Sequence, residues 1–179
     1  LAGDLVSEQM AEAGFPIEIK YADTETAAIP GVEAARTLAD VERVVAIIGA
    51  AASGVSIPVA ESVSIPKQIP QISNASTSPL ITYLPADQGK DFLFRCPASE
   101  ALQGVVLAKL AASEYKTASI LYVNNPYGQG LAQQFHKSFH IRGGTVFTMV
   151  PHGEDVAATY VPDLRKAYAR VYQTKPFRS

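Results

Sequence analysis

The stretch TASILYVNNPYGQGLAQQFHKSFHIRGGTVFTMVPH (117–152) constrains the fold more than any other part of the chain. Two apolar runs, TASILYVN (117–124) and TVFTMVPH (145–152), flank YGQGLAQQFHKSFHIRGG (127–144), which has helical spacing and two closing glycines. Strand, helix, strand in that order predicts a parallel βαβ unit with a right-handed crossover.

The same alternation runs through most of the sequence. LAGDLVSEQMAEAG (1–14) carries apolar residues at Leu1, Leu5, Val6, Met10 and Ala13 before Gly14, predicting an amphipathic helix with a glycine cap. IEIKYAD (17–23) alternates like a strand and ends in the turn formers Asp23 and Thr24. GVEAARTLADVER (31–43) reads as a helix, with Pro30 suited to its start. VVAIIGA (44–50) is continuously apolar, as expected of a parallel strand covered on both faces. Helical spacing resumes from Ser56 to Val63, and QIPQIS (68–73) and DFLFRC (91–96) read as strands. EALQGVVLAKLAASE (100–114) is a helix, and TYVPDLRKAYARVY (159–172) becomes helical at Pro162. The fold class expected is α/β, with alternating helices and parallel strands, doubly wound. The chain opens on a helix with no strand before it and closes on a helix with no strand after it, so it reads as cut at both ends.

Composition narrows the partners. The 179 residues are 47% hydrophobic and 18% charged, in keeping with a folded α/β chain rather than a disordered or collagen-like one. A net charge of −2 with dispersed basic residues leaves no electrostatic footprint for nucleic acid or an anionic membrane. No apolar stretch is long enough to span a bilayer. The start, LAGDLVSEQM, lacks the basic and apolar regions of a signal peptide, which says little about compartment because a mature secreted chain reads the same way. The single cysteine, Cys96, excludes an internal disulfide framework and is expected to be a small buried hydrophobe at a strand end.

Three loops follow strand ends, where open α/β sheets bind their ligands. Ala50, Ala51, Ala52, Ser53 and Gly54 bring bare backbone to the edge of a buried strand just where a helix begins. Free helical N–H groups there suit a carboxylate or phosphate, with Ser53 as a ligand-facing cap or Ser56 as the cap instead. An ordinary capped turn explains the same residues. ISNASTSP (72–79) offers Ser73, Asn74, Ser76, Thr77 and Ser78 at the next strand end, and reads equally well as a solvated turn. NNPYGQGLA (124–132) puts Tyr127 at a helix start, where its ring could cover a ligand. Its GxG lacks the spacing of a dinucleotide fingerprint.

Signatures of catalysis were not found: the chain has no GxSxG elbow, GxxxxGK[ST] loop or CxxC. His136 and His140 in HKSFH share a helical face but lack the Glu of HExxH and a third ligand. They are expected on a solvated face rather than on a metal. Glu154 and Asp155 read as loop charges. No catalytic residue, metal or cofactor is expected.

Three segments together carry a resemblance. IIGAAASGVSIPVAESVSIPKQIPQISNASTSPLITYL, FLFRCPASEALQG and ASILYVNNPYGQGLAQQF resemble, in order and spacing, the periplasmic substrate-binding proteins of branched-chain amino-acid (Leu/Ile/Val) ABC transporters. The similarity covers nearly all of residues 15–165. It implies two α/β lobes closing on an amino acid: lobe 1, partial, over 1–97 and lobe 2, partial, over 98–179, meeting near Cys96 to Ser99. It implies Ser53 as hydroxyl and backbone donor to the ligand carboxylate, Ala75 as a carbonyl acceptor for the ammonium, and Thr77 as a source of backbone and hydroxyl contacts to the zwitterion. Tyr127 would pack over the ligand from lobe 2, and Ala51 and Ala52 would line the pocket. Bulkier residues at those two alanine positions in family members put leucine specificity in question. The family's first strand is absent before Leu1, and the acidic residue that meets the ammonium lies in a part of lobe 2 absent after Ser179. The tail RVYQTKPFRS departs from the family pattern.

The function so implied is the solute-binding component of an ABC importer, for an amino acid or related small carboxylate, with a membrane permease as partner and no nucleic acid. The compartment implied is the periplasm, or the outer surface by a lipid anchor in a cell without one. Rival readings are the ligand-sensing domain of a regulator or receptor, and a small α/β enzyme without a recognisable motif. Dimerisation that covers exposed sheet edges is left open.

Overall fold

A computed structural model describes residues 2–155 and 159–173. Among the described residues, the strands fall into two parallel sheets joined by one passage of chain. The first contains β1 (Ile47–Ile48), β2 (Gln71–Ser73) and β3 (Leu93–Arg95), in that order across the sheet. The second pairs β4 (Thr117–Val123) with β5 (Thr145–His152). The alternation of helices and parallel strands expected of the fold class is therefore present.

Helix α1 (Ala2–Glu12) ends as the sequence predicts, with Gly14 in the left-handed region (φ 83°) that glycine adopts without strain. It contains no buried residue. The strand expected over 17–23 does not form. The segment is held to α1 instead, by Ser7 Oγ donating to the Ile17 carbonyl (2.7 Å) and Tyr21 Oη donating to Asp4 (2.8 Å). A period-two pattern needs a ladder partner to become a strand, and among the described residues β1 pairs only with β2.

Helix α2 (Ala28–Asp40) packs against α3 (Ser53–Val59), burying Ala35, Ile47, Val55, Val59 and Val63 in one cluster. The helix expected at Ser56–Val63 runs longer, from α3 through a π-helical turn (Ala60–Ser64) into α4 (Ile65–Lys67). The widened turn lies between Pro58 and Pro66, neither of which can donate to the helical ladder. Ile57, Ala60, Ile65, Ile81, Leu84 and Leu93 form a second buried cluster beside the first.

The register explains which strand residues are covered. Ile47, Gln71 and Leu93 align across the first sheet and are buried beneath these helices. Ile48, Ile72 and Phe94 align on the opposite face and are 82%, 39% and 46% exposed. Coverage on both faces, as expected for VVAIIGA, is thus not found among the described residues. Cys96 is corrected with it: two residues beyond Phe94, it shares the open face and is exposed.

The chain leaves β3 and enters α5 (Ala101–Glu114), then β4, α6 (Pro126–Ile141) and β5. Asn125 caps α6 by accepting from Gly128 N–H (3.0 Å), Pro126 occupies its first turn, and Gly143 (φ 77°) follows its end. Helices α5 and α6 pack together, while α7 (Val161–Gln173) lies against β4 and β5. Ser119 Oγ (3.1 Å) and Thr148 Oγ1 (3.4 Å) donate to the Ala167 carbonyl of α7. His136 and His140 are exposed, as expected of a solvated face. Among the described residues no helix is long and apolar enough to cross a membrane.

Candidate functional site

The loops after β1 and β2 are drawn together by small hydroxyl side chains. At Gly49 (φ 137°) the chain turns out of β1 in a conformation that side chains resist. The Ala50 carbonyl then accepts from Ser73 Oγ (2.6 Å) and Ser56 Oγ (2.9 Å), and Ser56 Oγ also bonds Ser76 Oγ (2.8 Å). Ser76 Oγ reaches the Ala51 carbonyl at 3.1 Å. Below them Gln71, fully buried, donates through Nε2 to the carbonyls of Gly49 and Ser56 (3.1 Å each) and accepts from Ser64 Oγ (2.7 Å). These bonds satisfy backbone groups that leave a short strand without a ladder. Ser56, Ser73 and Ser76 are therefore construction, and Ser56 is not a helix cap.

Ser53 is the first residue of α3, after Ala52 in extended conformation. Its Oγ accepts from Ser78 N–H (3.2 Å), tying the helix start to the second loop, and the side chain is buried. Ala51 is exposed and lines a cavity of about 230 Å³ with Gly31, Ala35, Gly49 and Asn74 at the end of β1. Ala52 is half-buried against the α2–α3 core. Ala75 is exposed in the second loop. Thr77 is half-buried, and its carbonyl accepts from Arg95 Nη1 (3.1 Å) and Glu100 N–H (3.0 Å).

The second sheet unit meets this edge through the start of α6. Ser78 Oγ donates to the Pro126 carbonyl (2.7 Å). Gly130 lies so close that a Cβ there would stand 2.9 Å from Ser78 Oγ and 2.8 Å from Pro79 Cδ. Gly54 faces Asn125 and Glu154, which are joined by Asn125 Nδ2 donating to Glu154 Oε1 (2.6 Å). Tyr127 follows Pro126 and is 41% exposed; it lines a groove with Leu107, Tyr122, Leu131, Phe135 and His152. Ser53 and the Thr77–Ser78 segment are thus brought into one neighbourhood with the α6 start, whereas the Tyr127 side chain lines a groove of the second unit.

Sequence reasoning missed two charged residues. Arg95 ends β3 and donates to the carbonyls of Thr77 and Ser78 (Nη1, 3.1 and 2.6 Å) and to Thr82 Oγ1 (Nη2, 2.5 Å). Glu100, just before α5, is 6% exposed and accepts from Thr77 Oγ1 through Oε2 at 2.8 Å. Its Oε1 is buried with no hydrogen-bond partner among the described residues. Burial pushes the Glu100 carboxyl above its ordinary range, against the pull of the Thr77 bond and the Arg95 charge. Burial lowers Arg95 in turn, with Glu100 opposing that effect. As the first residue of the helix predicted over 100–114, Glu100 carried no sequence sign of its burial. Among the described residues no group of three or more His, Cys, Asp or Glu could hold a metal.

Comparison with known proteins places this geometry. The profile of the periplasmic binding proteins matches residues 3–172. The chain is 33% identical over 129 residues to Leu/Ile/Val-binding protein homolog 1 of Brucella melitensis, covering 70% of this chain and 33% of that protein. It is 32% identical over 121 residues to the chemotactic signal transduction system substrate-binding protein BasB of Halobacterium salinarum, covering 64% and 29%. Its structure is similar to a leucine-binding protein from Thermotoga maritima, with a TM-score of 0.75, 27% identity and 88% and 44% coverage of the two chains. A substrate-binding protein of an ABC transporter from Desulfitobacterium hafniense, in complex with Leu, superposes with a TM-score of 0.62 at 25% identity, over 95% and 49%. The chain spans about a third of the length of these curated relatives and under half of the solved ones. With the profile matched over nearly its whole length, the chain belongs to the periplasmic binding protein family.

Proposed function

We propose that this chain is part of a non-enzymatic solute-binding protein that takes an amino acid or related small carboxylate between two lobes for an ABC importer. Lobe 1 is residues 1–97 and lobe 2 is 98–179, with the single passage from β3 to α5 as the connection. The observation that carries the reading is the union of two adjacent strand-end loops, joined by Ser78 N–H donating to Ser53 Oγ. That bond leaves the Ser53 proton for a carboxylate, while Ala75 offers a carbonyl and Thr77 a hydroxyl nearby. Tyr127, Ala51 and Ala52 complete the proposed lining. The closed form would dock on a membrane permease outside the cytoplasm.

The test is calorimetric or NMR titration of the chain with a panel of L-amino acids and their des-amino analogues. Ser53→Ala and Thr77→Ala are each expected to weaken a binding ligand on the order of tenfold, since hydrogen bonds to charged groups are worth about 1.5–3 kcal/mol. Unchanged affinity in both variants would remove the assignment. A second reading, a ligand sensor that signals to a receptor, is favoured by the likeness to the chemotactic substrate-binding protein. It shares the seat and differs in the partner, so recovery of a chemoreceptor instead of a permease by crosslinking of the ligand-loaded full-length protein would select it.

A further inference from the structure

What Thr77 can offer a ligand depends on which way its hydroxyl points its proton. A threonine hydroxyl has one proton and two lone pairs, so it can meet a ligand as donor or acceptor. In this chain that choice is not free. Thr77 Oγ1 stands 2.8 Å from Glu100 Oε2. Above its folded-state pKa the Glu100 carboxylate only accepts, so there the Thr77 proton is committed to Glu100 and lone pairs are left for any other partner. The Thr77 carbonyl is already occupied by Arg95 Nη1 and Glu100 N–H.

Glu100 is an expensive way to hold a threonine. It is 6% exposed, and Oε1 is buried without a partner, a loss that a Gln, Ser or Asn could lessen while still bonding Thr77. What those residues could not do is dictate direction, because each can donate as well as accept. Direction is therefore the property that the carboxylate alone supplies. Across the same loop, Ser53 Oγ has accepted the Ser78 N–H and keeps its own proton. The two hydroxyls present opposite polarity: Ser53 to donate, Thr77 to accept.

We propose that Glu100 is a positioning residue that fixes the Thr77 hydroxyl as an acceptor, so that this edge selects ligands bearing a cationic N–H donor beside their carboxylate. The proposal rests on the reading of Ser53 and Thr77 as ligand contacts. Glu100 acts through Thr77 and needs no contact with the ligand. It also sits at the entry to α5, so the same bond links the seat to the first residues of the second unit.

The experiment compares L-leucine with 4-methylpentanoate, which keeps the carboxylate and side chain but lacks the ammonium. Both are titrated by NMR against the whole chain as wild type, Glu100→Gln, Thr77→Val and the double variant. The near-isosteric Glu100→Gln is expected to reduce the leucine preference on the order of tenfold, because the amide can turn its N–H toward Thr77. Thr77→Val is expected to abolish the same preference, with no further loss on adding Glu100→Gln. A proportional change in both ligands would mark Glu100 as merely structural and overturn the proposal. So would additivity in the double variant, which would mean that the Glu100 charge acts directly.

A ligand-free measurement separates this from the wider reading. The Thr77 methyl resonance should follow the Glu100 titration in the wild type and cease to do so in Glu100→Gln. If no amino acid of the panel binds but the Thr77 signal follows Glu100, the solute-binding reading fails and the hydroxyl linkage stands. If the Thr77 signal ignores Glu100, the linkage fails whatever binds.

Discussion

The first sheet joins strands of two or three residues, and what holds their ends is polar: Gln71 and three serines bonded to backbone carbonyls, with Ser64 bonded to Gln71 in turn. The second joins strands of seven and eight residues along a ladder interrupted only by an irregularity between Ala118 and Ser119, and packs against α6 and α7. Their largest fully buried side chains differ in kind as well: Gln71 in the first unit, Phe139 in the second. A long ladder satisfies its own backbone and leaves burial to apolar groups. A short one leaves carbonyls over, and side chains must take them. That is why the unit with the candidate seat is rich in buried hydroxyls, and why its loops are held closely enough to present Ser53 and Thr77.

Truncating the two anchors is the most direct way to break this comparison. Phe139→Ala removes a ring that is fully buried, stacked on Phe135 (centroids 5.3 Å apart) and close to Gly144. The expected cost is about 3–5 kcal/mol, the largest of the predictions made for this protein, read from urea denaturation followed by circular dichroism. Amide exchange should place the loss first in β4 and β5. Protection lost equally in the first sheet would show that the units unfold as one.

Gln71→Ala removes bonds to the Gly49 and Ser56 carbonyls and to Ser64 Oγ. Unsatisfied buried groups cost about 1–3 kcal/mol each before relaxation, and water entering the vacated space recovers part of that, so about 2–3 kcal/mol is expected. Gln71→Leu sharpens the result because it fills the volume but satisfies nothing. If Gln71→Leu were as stable as wild type, packing rather than hydrogen bonding would hold the strand ends, and the contrast between the sheets would vanish.

The same contrast decides how much could be read from the chain. Residues 117–123 and 145–152 were legible as strands because apolar and β-branched residues run through most of each ladder. Over 44–50 the apolar run is longer than the ladder it joins, which covers only Ile47 and Ile48, and Ile48 emerges on an uncovered face. Over 17–23 the alternation is as clear as in any strand, but pairing is a property of a partner and not of the segment. The loops after β1 and β2 were legible as a pair because small residues follow both strands. Which of their serines join the loops was not, since Ser53, Ser56, Ser73 and Ser76 are chemically alike and differ only in what lies beside them. Glu100 was missed for a related reason: its partner Thr77 is 23 residues away and carries no sequence signal of the bond.

The smallest effect is expected where the two units join, and it is a pH dependence. Burial holds the folded-state pKa of Glu100 above the ordinary glutamate value, although the Thr77 hydroxyl and the Arg95 charge both oppose the shift. Between those two values the folded chain keeps a proton that the unfolded chain has lost. Stability therefore falls as pH rises through that window, and the contribution is fully present below the ordinary value. The urea midpoint of the wild type relative to Glu100→Gln should decline as pH rises above the ordinary glutamate value and level off once the folded-state pKa is passed. Because the opposing bonds favour the charged form, the slope should be shallow, and Thr77→Val should steepen it by removing one of them. A relative midpoint that rises with pH would mean that the carboxylate is better satisfied in the fold than in water. The orphaned Oε1 argues against that outcome, and with it against the junction being as self-satisfied as the ladder of β4 and β5.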